Sequence, residues 1–560
     1  MTKKVPSTTE AAALLEEIAR LMSLRGENVF KVRAFEKAAG LLAGHDDLLD
    51  RARAGTLTEL EGIGKGIAEV LTEFLLTGSS KVRRELEESL PEGLLELTNI
   101  PGLGPKKALQ LIEELEIRSV RELEYACREN RLLKIKGFGP KLQQKILENV
   151  RFLQSTAGQA RLDQVLAPAE ALALALARLL EAKIEVTGAL RRRREVVESI
   201  DLLVECASRE LDDQGKPSKA LLKRATAALV EAKQEALAGV TGIGVNLHFA
   251  PASDWGFALA RTTASDGHWK AIGAPAPSTK EIKTEEAFYR GLGLPFIDPV
   301  MRETGEEVAM ARAGELEEVV APEDIRGVFH LHTTRSDGAN TLEEMVVAAR
   351  AKGYRYIGVS DHSQSAFYAQ GLKVDALREQ EKELRALQEK YPEIRIFWGI
   401  ESDILADGSL DYPESVLKKF DFVIASVHSR FQMDRETMTE RMIQAIRHPR
   451  TRFIGHLTGR LLLGRKGYEL DIERVIREAA KHDVAIEINA HPQRLDIDWR
   501  HGPALCAAGT KVSVNPDAHE IAGYDDTIYG AWMARKALLP RSLVVNSWDE
   551  GQVEAWLARK

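Results

Sequence analysis

From Gly327 to its last residue the chain repeats one pattern, a short apolar run followed by a polar loop and an amphipathic helix. Strands that alternate with helices in this way form parallel sheets, because each crossover needs about a dozen residues or more. About seven such units predict a sheet closed into a barrel, a relative of the eight-stranded βα barrel. Thr341 and Glu344 predict a capping box for the first helix. The strand-like runs lie at residues 328–331, 356–359, 396–400, 422–426, 454–455, 484–488 and 511–514.

Histidine is concentrated in the same region, where ten of the 13 histidines lie beyond Arg326. Most of them stand beside Asp or Glu at the ends of the apolar runs. Alternation along a strand predicts that His330 and His332 share one face. The carboxyl ends of the strands carry the active sites of parallel barrels. The side chains expected to converge there are His330, His332, Asp337, His362, Glu401, His428, His456, Asp517 and His519.

Nine imidazole and carboxylate groups exceed what one tetrahedral ion needs, and carboxylates can bridge neighbouring ions. The pattern therefore predicts a site for two or three metal ions. Imidazole suits Zn, Mn or Fe, and the expected catalytic group is a metal-bound water that attacks phosphorus. We expect His448, His482 and His501 to be ordinary surface residues, while the role of His491 stays open.

The first 150 residues have short helices separated by glycine turns and predict an all-α region. A Gly-x-Gly element with a central apolar residue occurs three times, each time before a helix. Backbone amides at such a turn and helix N-terminus form a site for a phosphate oxygen, so we expect sequence-independent DNA binding. The residues expected to contact DNA are Gly62, Gly64, Gly66, Gly102, Gly104, Lys106, Gly137, Gly139 and Lys141.

Charge and apolar content narrow the classes of protein further. The net charge of −8 argues against a generally basic surface. The sequence contains no run of about 18 uncharged apolar residues, so we expect no membrane-spanning helix. Three scattered cysteines, Cys127, Cys206 and Cys506, are too few for a disulfide framework, and no secretory signal is apparent. The chain is expected in the cytoplasm, with no membrane partner and no identifiable protein partner.

The motifs of the last 230 residues resemble a known domain. HLHTTRSDG, SDHSQS, GIESDI, SVHSRF, GHLTGR, EINAHPQRLD and NPDAH are together similar to the polymerase-and-histidinol-phosphatase (PHP) domain of bacterial family X DNA polymerases. The resemblance implies a distorted seven-stranded barrel with a trinuclear Zn or Mn centre that hydrolyses phosphoesters, as a 3'-5' exonuclease or abasic-site nuclease. It implies three ligand sets: His330, His332, Glu401 and Asp517; Glu401, His428 and His456; and Asp337, His362 and His519.

The glycine repeats, with residues 28–40, resemble the helix-hairpin-helix N-terminal and fingers-like regions of the same family. Some members carry a lyase lysine at a position that is Val70 here, so lyase activity is not expected. Between these regions and the barrel, residues 166–316 predict a mixed α+β domain with strands at 184–186, 199–204 and 245–249.

This middle region resembles the family's nucleotidyltransferase palm but lacks most of its carboxylates. Asp201 is retained, while Ser199 and Asn246 stand where the family has aspartates. Two-metal phosphoryl transfer needs those charges, so Mg²⁺ binding and templated synthesis are not expected. Arg191 and Arg192 are interpreted as remnant phosphate contacts, and Arg193 and Arg194 as surface residues. The remaining positions matched to the palm motif are Gly188 and Ala189.

The resemblance implies four domains, at residues 1–85, 86–160, 161–320 and 325–560. The first two are the helical DNA-binding and fingers-like domains, the third is the palm and thumb, and the fourth is the PHP barrel. The leading hypothesis is a DNA-repair nuclease for gapped, abasic or 3'-end-containing DNA with an inactive polymerase half. The alternatives are an active gap-filling polymerase, a non-catalytic scaffold that binds DNA ends, and a phosphatase for a small phosphoester.

Overall fold

The computed structural model describes residues 6–42, 45, 47–212, 214–237, 240, 242–275 and 281–559. The chain divides into two compact units, Met1–Thr156 and Ala157–Lys560. This division lies close to the expected boundary between residues 160 and 161. The finer division into four domains stays a prediction. None of the described helices is both long enough and apolar enough to cross a bilayer.

The described part of the first unit is helical, as predicted. In each glycine turn the central residue is buried, whereas the glycines around it are exposed: Ile63, Leu103 and Phe138 are at most 4% exposed. These apolar residues therefore fasten the turns to the helical cores. The helices are α1 Thr8–Arg25, α2 Val29–Leu41, α3 Leu48–Ala54, α4 Lys65–Thr77, α5 Lys81–Ser89, α6 Leu94–Thr98, α7 Pro105–Leu115, α8 Val120–Arg128 and α9 Pro140–Ser155.

The second unit begins with the predicted α+β region. Its central sheet has the order β2-β4-β5, with β2 antiparallel and β5 parallel to β4. Helices α10 and α12 pack together over the apolar core of this region. The elements are β1 Ala160–Arg161, α10 Leu162–Leu180, β2 Ile184–Thr187, α11 Gly188–Arg191, β3 Val196–Val197, β4 Ser199–Glu205, α12 Lys219–Ala236, β5 Gly244–Ala250, α13 Trp255–Thr263, α14 Asp266–Ala271, α15 Glu285–Gly291 and α16 Glu306–Ala313.

The remainder of the unit is the predicted barrel. Within the fully described range 327–515, seven parallel strands follow one another in sequence order, from β6 to β12. Thr341 and Glu344 form the expected capping box. The elements are β6 Gly327–Val328, α17 Leu342–Ala351, β7 Tyr356–Val359, α18 Val374–Lys390, β8 Arg395–Asp403, α19 Glu414–Leu417, β9 Phe422–Ser426, α20 Arg435–Arg447, β10 Thr451–Ile454, α21 Ile472–Lys481, β11 Ala485–Asn489, α22 Gly502–Ala508, β12 Val512–Asn515, α23 Thr527–Lys536 and α24 Glu550–Ala558.

Backbone hydrogen bonds beyond the strand ends connect the two edges of this sheet. The His332 N–H donates to the carbonyl of Ala518 at 2.9 Å, and the Ala518 N–H donates to the carbonyl of His330 at 3.2 Å. Three barrel strands were wrong in extent by more than one residue. The first ends at Val328 rather than Leu331, the third spans 395–403 rather than 396–400, and the fifth spans 451–454 rather than 454–455.

A buried aromatic cluster fills the part of the barrel that lies on the amino side of the histidines. It contains Phe329, Phe397 and Phe422, and Trp556 of α24 belongs to the same cluster. Strand glycines make room for these rings, since a Cβ atom on Gly399 would lie 2.2 Å from Phe422 Cζ. The tight packing gives the histidines a rigid apolar support.

Candidate metal centre

The carboxyl ends of the barrel strands bring together all nine side chains predicted to bind metal. Glu401, at the end of β8, is fully buried and lies at the centre of the group. Its Oε1 atom is 3.1 to 3.2 Å from the Nε2 atoms of His330, His428 and His456, and its Oε2 atom is 2.9 Å from Nδ1 of His362. One carboxylate therefore reaches imidazoles supplied by four different strand ends.

Four overlapping groups have ligand atoms close enough to share an ion. In one group His332 joins the expected set of Asp337, His362 and His519. Glu401 belongs to two groups, so the arrangement has the bridging carboxylate that a centre of several metals needs. The division into three exact ligand sets stays a prediction. The groups are His332, Asp337, His362 and His519; His330, His332 and Asp517; His330, Glu401 and His456; and His362, Glu401 and His428.

The backbone carries several of these ligands in an unusual conformation. His330, His456 and Asp517 have φ angles of 61°, 24° and 54°, in the left-handed region that non-glycine residues rarely adopt. The reasoning from strand alternation was therefore wrong for His330, because the regular strand has ended before it. Its ring still lies 5.3 Å from that of His332. Residues held in such strained conformations cluster at functional sites.

Several buried polar atoms at the centre make no hydrogen bond to any described residue. They are Nε2 of His330, both ring nitrogens of His332, Oε2 of Glu401 and Nδ1 of His456. Leaving buried polar atoms unsatisfied is costly unless another partner compensates. Lone pairs of neutral imidazole and carboxylate together form a donor set that suits divalent Zn or Mn. The residues present therefore fit the implied metal ions.

Two further buried carboxylates orient the expected ligands, and sequence reasoning assigned them no role. Glu487 lies 2.6 Å from Nδ1 of His330 and accepts a hydrogen bond from the His456 N–H at 2.8 Å. Asp403 lies 2.6 Å from Nδ1 of His428. Such partners turn the other ring nitrogen toward a metal and raise its basicity. The alternation in Glu487-Ile-Asn489, within a strand that ends at the site, was the available signal.

A third carboxylate, Asp361, supports the loops of the site. It accepts hydrogen bonds from the Thr333 N–H at 2.7 Å, from Ser336 Oγ at 2.6 Å and from Gln380 Nε2 at 2.6 Å. Burial raises the pKa of Asp361 despite these hydrogen bonds. It belongs to none of the four ligand groups, in agreement with its omission from the expected ligand set.

Burial and neighbouring charge act against each other on the ligands. Burial and the adjacent rings of His519 and His362 lower the pKa of His332 to about 3. Burial also opposes protonation of His428, but Glu401 and Asp403 outweigh it and raise its pKa to about 10. His519, beside Asp337 and Asp517, has its pKa raised to about 9 for the same reason. Burial opposes ionisation of Glu401, but the facing imidazoles of His330, His428 and His362 keep its pKa well below the usual value.

Arg494 is a basic residue at the centre that sequence reasoning did not select. Its Nε atom lies 3.8 Å from Oδ2 of Asp517, and its side chain is 23% exposed. Its charge also lowers the pKa of His456, second to burial. Nearby His491 is partly buried, accepts a hydrogen bond from the Gln493 N–H and belongs to none of the four ligand groups. Arg494 therefore places a cation beside Asp517 and His456, two of the predicted ligands.

Two of the histidines expected at the surface lie away from the centre. His448 Nε2 is 3.1 Å from Glu414, and His482 Nε2 is 3.1 Å from Glu478. His501 is partly buried at the start of α22. None of these residues belongs to a ligand group.

The palm positions meet around Asp201. Ser199 Oγ donates to Asp201 at 2.8 Å, Asn246 Nδ2 donates at 3.0 Å, and His248 Nε2 lies 3.1 Å away. Burial opposes ionisation of Asp201, but these hydrogen bonds lower its pKa. A Cβ atom on Gly188, where φ is 67°, would lie 2.8 Å from Asp201 Oδ2, so only glycine fits at this turn.

The arginines at residues 191–194, beside this turn, bind other side chains of the same unit. Arg191 forms a two-pronged ion pair with Glu285 at 3.0 and 2.5 Å, and Arg192 donates to Glu303 at 3.0 Å. The structure therefore gives both residues an internal bracing role and does not support the interpretation as remnant phosphate contacts. Arg193 and Arg194 also differ from the surface prediction. Both are partly buried, and the Arg193 guanidinium lies 4.8 Å from the ring centre of Trp532.

The glycine turns of the first unit have one common geometry. Gly62, Gly102 and Gly137 have φ angles of 81°, 85° and 91°, and each turn leads into the first residues of α4, α7 or α9. Gly64, Gly66, Gly104 and Gly139 are exposed, as are Lys106 and Lys141. The first amides of a helix have no partner within it. Three exposed helix N-termini are therefore available to phosphate oxygens.

Comparisons with known proteins agree with this division of the chain. Family models match residues 7–80 (helix-hairpin-helix domain), 94–151 (SAM-like helix-hairpin-helix tandem) and 329–491 (PHP domain). The chain is 35% identical to the DNA polymerase/3'-5' exonuclease PolX of Bacillus subtilis, over 98% of both chains. It is 38% identical to a probable phosphatase of Caldicellulosiruptor saccharolyticus, over 40% of this chain and 93% of that protein. Histidinol phosphate phosphatase from Lactococcus lactis matches 37% of this chain and 94% of its own with 19% identity and a TM-score of 0.29, which is too low to support an argument.

Proposed function

The chain belongs to the PolX family of bacterial family X DNA polymerases with a C-terminal PHP domain, and on this premise we propose that it is a DNA-repair nuclease. Its barrel hydrolyses phosphodiesters at 3' ends or abasic sites, as a metal-dependent 3'-5' exonuclease or end-processing enzyme. Its polymerase-like half binds gapped, abasic or 3'-ended DNA without extending it. The proposed compartment is the cytoplasm.

The observation that carries the proposal is the set of nine converging imidazole and carboxylate groups around Glu401. These residues would hold two or three Zn²⁺ or Mn²⁺ ions. When bound, such ions supply an activated water and offset negative charge at phosphorus. Glu487 and Asp403 orient the rings of His330 and His428.

Arg494 gives the centre a group that can bind the substrate directly. The guanidinium presents several N–H donors in a plane, a geometry that matches two phosphate oxygens. Its position beside Asp517 supports a role in holding the phosphodiester against the centre. Binding of a phosphate there would also offset the positive charge next to His456.

DNA binding is proposed for the helical unit. Its three turns expose amides without demanding a particular base sequence, and Lys106 and Lys141 stand in the first turns of their helices. Contacts of this kind position a nucleic-acid backbone without reading its sequence. This unit would supply affinity for DNA, while the barrel would supply the hydrolysis.

The loss of polymerase activity is proposed from the surroundings of Asp201. Ser199, Asn246 and His248 occupy its oxygens, whereas a pair of Mg²⁺ ions needs several anionic ligands. The active gap-filling polymerase is retained as a second candidate because the Bacillus subtilis relative is named for both activities. A third, phosphomonoester hydrolysis, is favoured by probable phosphatases that match about 40% of this chain over most of their own length.

A denaturing gel tests these candidates together. Purified protein with Mn²⁺ is given a 5'-labelled primer on a gapped template and all four deoxynucleoside triphosphates. A shortened primer supports the nuclease, and a lengthened primer would show that Asp201 serves a working polymerase. The His332→Ala variant should lose the shortening, while His482→Ala, which alters a histidine outside the centre, should keep it. Hydrolysis of 4-nitrophenyl phosphate without primer shortening would favour the phosphatase.

A further inference from the structure

The loop between β7 and α18 displays an aromatic ring to solvent beside the metal centre. Phe367 is 84% exposed, more than any other large apolar side chain in the described part of the chain. Ala366 and Ala369 in the same loop are fully buried. The loop thus buries small residues and leaves its largest apolar side chain outside.

This loop is firmly closed at its base. The Leu372 N–H donates to the carbonyl of His362 at 2.8 Å, and the Ser363 N–H donates to the carbonyl of Glu401 at 3.0 Å. The two sides approach so closely that a Cβ atom on Gly371 would lie 1.9 Å from the Ser363 carbonyl oxygen. A loop closed in this way holds the backbone on both sides of Phe367 close to the carboxyl end of β7.

Further hydrogen bonds connect the loop that carries Phe367 to the predicted metal ligands. The loop starts at His362, one of the nine ligands, and follows the carboxyl end of β7, where the centre lies. Ser365 Oγ donates to Oδ2 of Asp403 at 2.8 Å, and the other oxygen of Asp403 holds His428 at 2.6 Å. Phe367 lies five positions after His362, so at most about 18 Å of extended chain separates the two residues. The loop therefore holds Phe367 within reach of nucleotides next to a phosphodiester bound at the centre.

We propose that Phe367 is a stacking platform for an unpaired nucleobase of the DNA strand that the barrel hydrolyses. This inference rests on the proposed nuclease function and adds the group that distinguishes a polynucleotide from a small phosphoester. Every base has a flat aromatic face, so stacking tolerates any sequence. Bases inside a duplex already stack on their neighbours, and a frayed or single-stranded 3' end leaves its bases free to stack on the ring. The platform favours such ends over paired ones.

The test compares a single-stranded oligonucleotide with bis(4-nitrophenyl) phosphate, a phosphodiester without a base. Removal of the ring in Phe367→Ala should raise KM for the oligonucleotide about 5- to 150-fold, the range that loss of one base–aromatic stack produces. Its kcat/KM for bis(4-nitrophenyl) phosphate should stay within about twofold of the original protein. Phe367→Trp, which keeps an aromatic face, should retain oligonucleotide hydrolysis. Val347→Ala, which shortens another exposed apolar side chain on α17, is the matched control.

The outcomes separate this inference from the function on which it rests. If the original protein hydrolyses no oligonucleotide, the proposed function fails and the platform fails with it. If it does, and Phe367→Ala has an unchanged KM for the oligonucleotide, only the platform is overturned. Equal losses on both substrates also overturn it, since they would mean that the substitution disturbs the metal centre.

Discussion

Asp201 in the palm and Glu401 in the barrel are both buried or partly buried carboxylates on strands of the second unit, with opposite surroundings. Asp201 is surrounded by Ser199, Asn246 and His248, whose hydrogen bonds satisfy it. Glu401 faces imidazoles supplied by several strand ends, and ring nitrogens of His330 and His332 beside it make no hydrogen bond to any described residue. The protein itself completes the surroundings of the palm carboxylate, whereas the barrel cluster keeps buried donor atoms that could bind cations.

A carboxylate at a catalytic position is therefore not enough to indicate a metal site. Neutral Ser and Asn partners remove the negative charge that divalent ions require and at the same time supply donors. In the barrel, buried ring nitrogens of His330 and His332 make no hydrogen bond to a described residue, and a bound ion would offset the cost of burying them. The partners of the carboxylate decide between the two outcomes.

The largest expected effect is at the barrel carboxylate. Glu401→Gln removes the charge shared by two ligand groups and should reduce both metal content and nuclease activity, activity by about 1,000-fold or more. Elemental analysis and the primer gel measure the two effects. Asp201→Ala is the matched change in the palm and should leave nuclease activity unaltered. Equal losses in both variants would break the comparison.

A smaller loss of metal affinity is expected at Glu487, which contacts two predicted ligands and is not itself one of them. Glu487→Gln replaces a carboxylate whose two oxygens contact His330 Nδ1 and the His456 N–H. The amide of Gln has one acceptor oxygen and one donor NH₂ group, so it cannot accept both hydrogen bonds. Metal affinity should fall about 10- to 100-fold. Competition titration with a Mn²⁺-sensitive dye measures it, and Glu393→Gln, which alters a surface pair with Arg350, is the control. Unchanged affinity would mean that Glu487 orients nothing.

Metal affinity should also depend on pH in one direction. His428 and His519, with pKa values raised to about 10 and about 9, carry protons at neutral pH when no ion is bound. Ions must displace these protons, so affinity should rise with pH between 6 and 9, by about tenfold per unit for each proton released. Calorimetry in buffers of different ionisation enthalpy counts the protons. A dissociation constant that does not change over this range would contradict the prediction.

The smallest expected effect is on thermal stability at the palm. It is tested by giving Asp201 carboxylate neighbours in place of its neutral hydrogen-bond donors. The double variant Ser199→Asp, Asn246→Asp places three carboxylates together, and their repulsion should lower the melting temperature by several degrees in EDTA. Millimolar Mn²⁺ should restore it by binding between them. Ser208→Asp, an exposed position in the same region, should change neither value. A loss that Mn²⁺ does not repair would show that the site cannot hold an ion even with its charges present.

Much of the barrel was predictable because its pattern is local. Apolar runs alternating with amphipathic helices indicate parallel strands, and the polar residue after each run falls at the same end of the sheet. The left-handed turn at His330 was not predictable, since no glycine or asparagine marks it. The pairing of Arg191 with Glu285 was missed for another reason, because 94 residues separate the partners and no periodicity connects them.

The helical start, the βα alternation of the barrel and the identity of the residues that meet at its strand ends can be predicted from the amino-acid sequence, since they follow from short-range periodicity and from the types of side chain. Which groups have protein partners and which do not depends on the folded arrangement of distant segments. Hydrogen bonds such as those from Asn246 to Asp201 and from His330 to Glu487 join distant segments. Their existence depends on distances of about 3 Å, which arise only when packing has fixed every strand in its register.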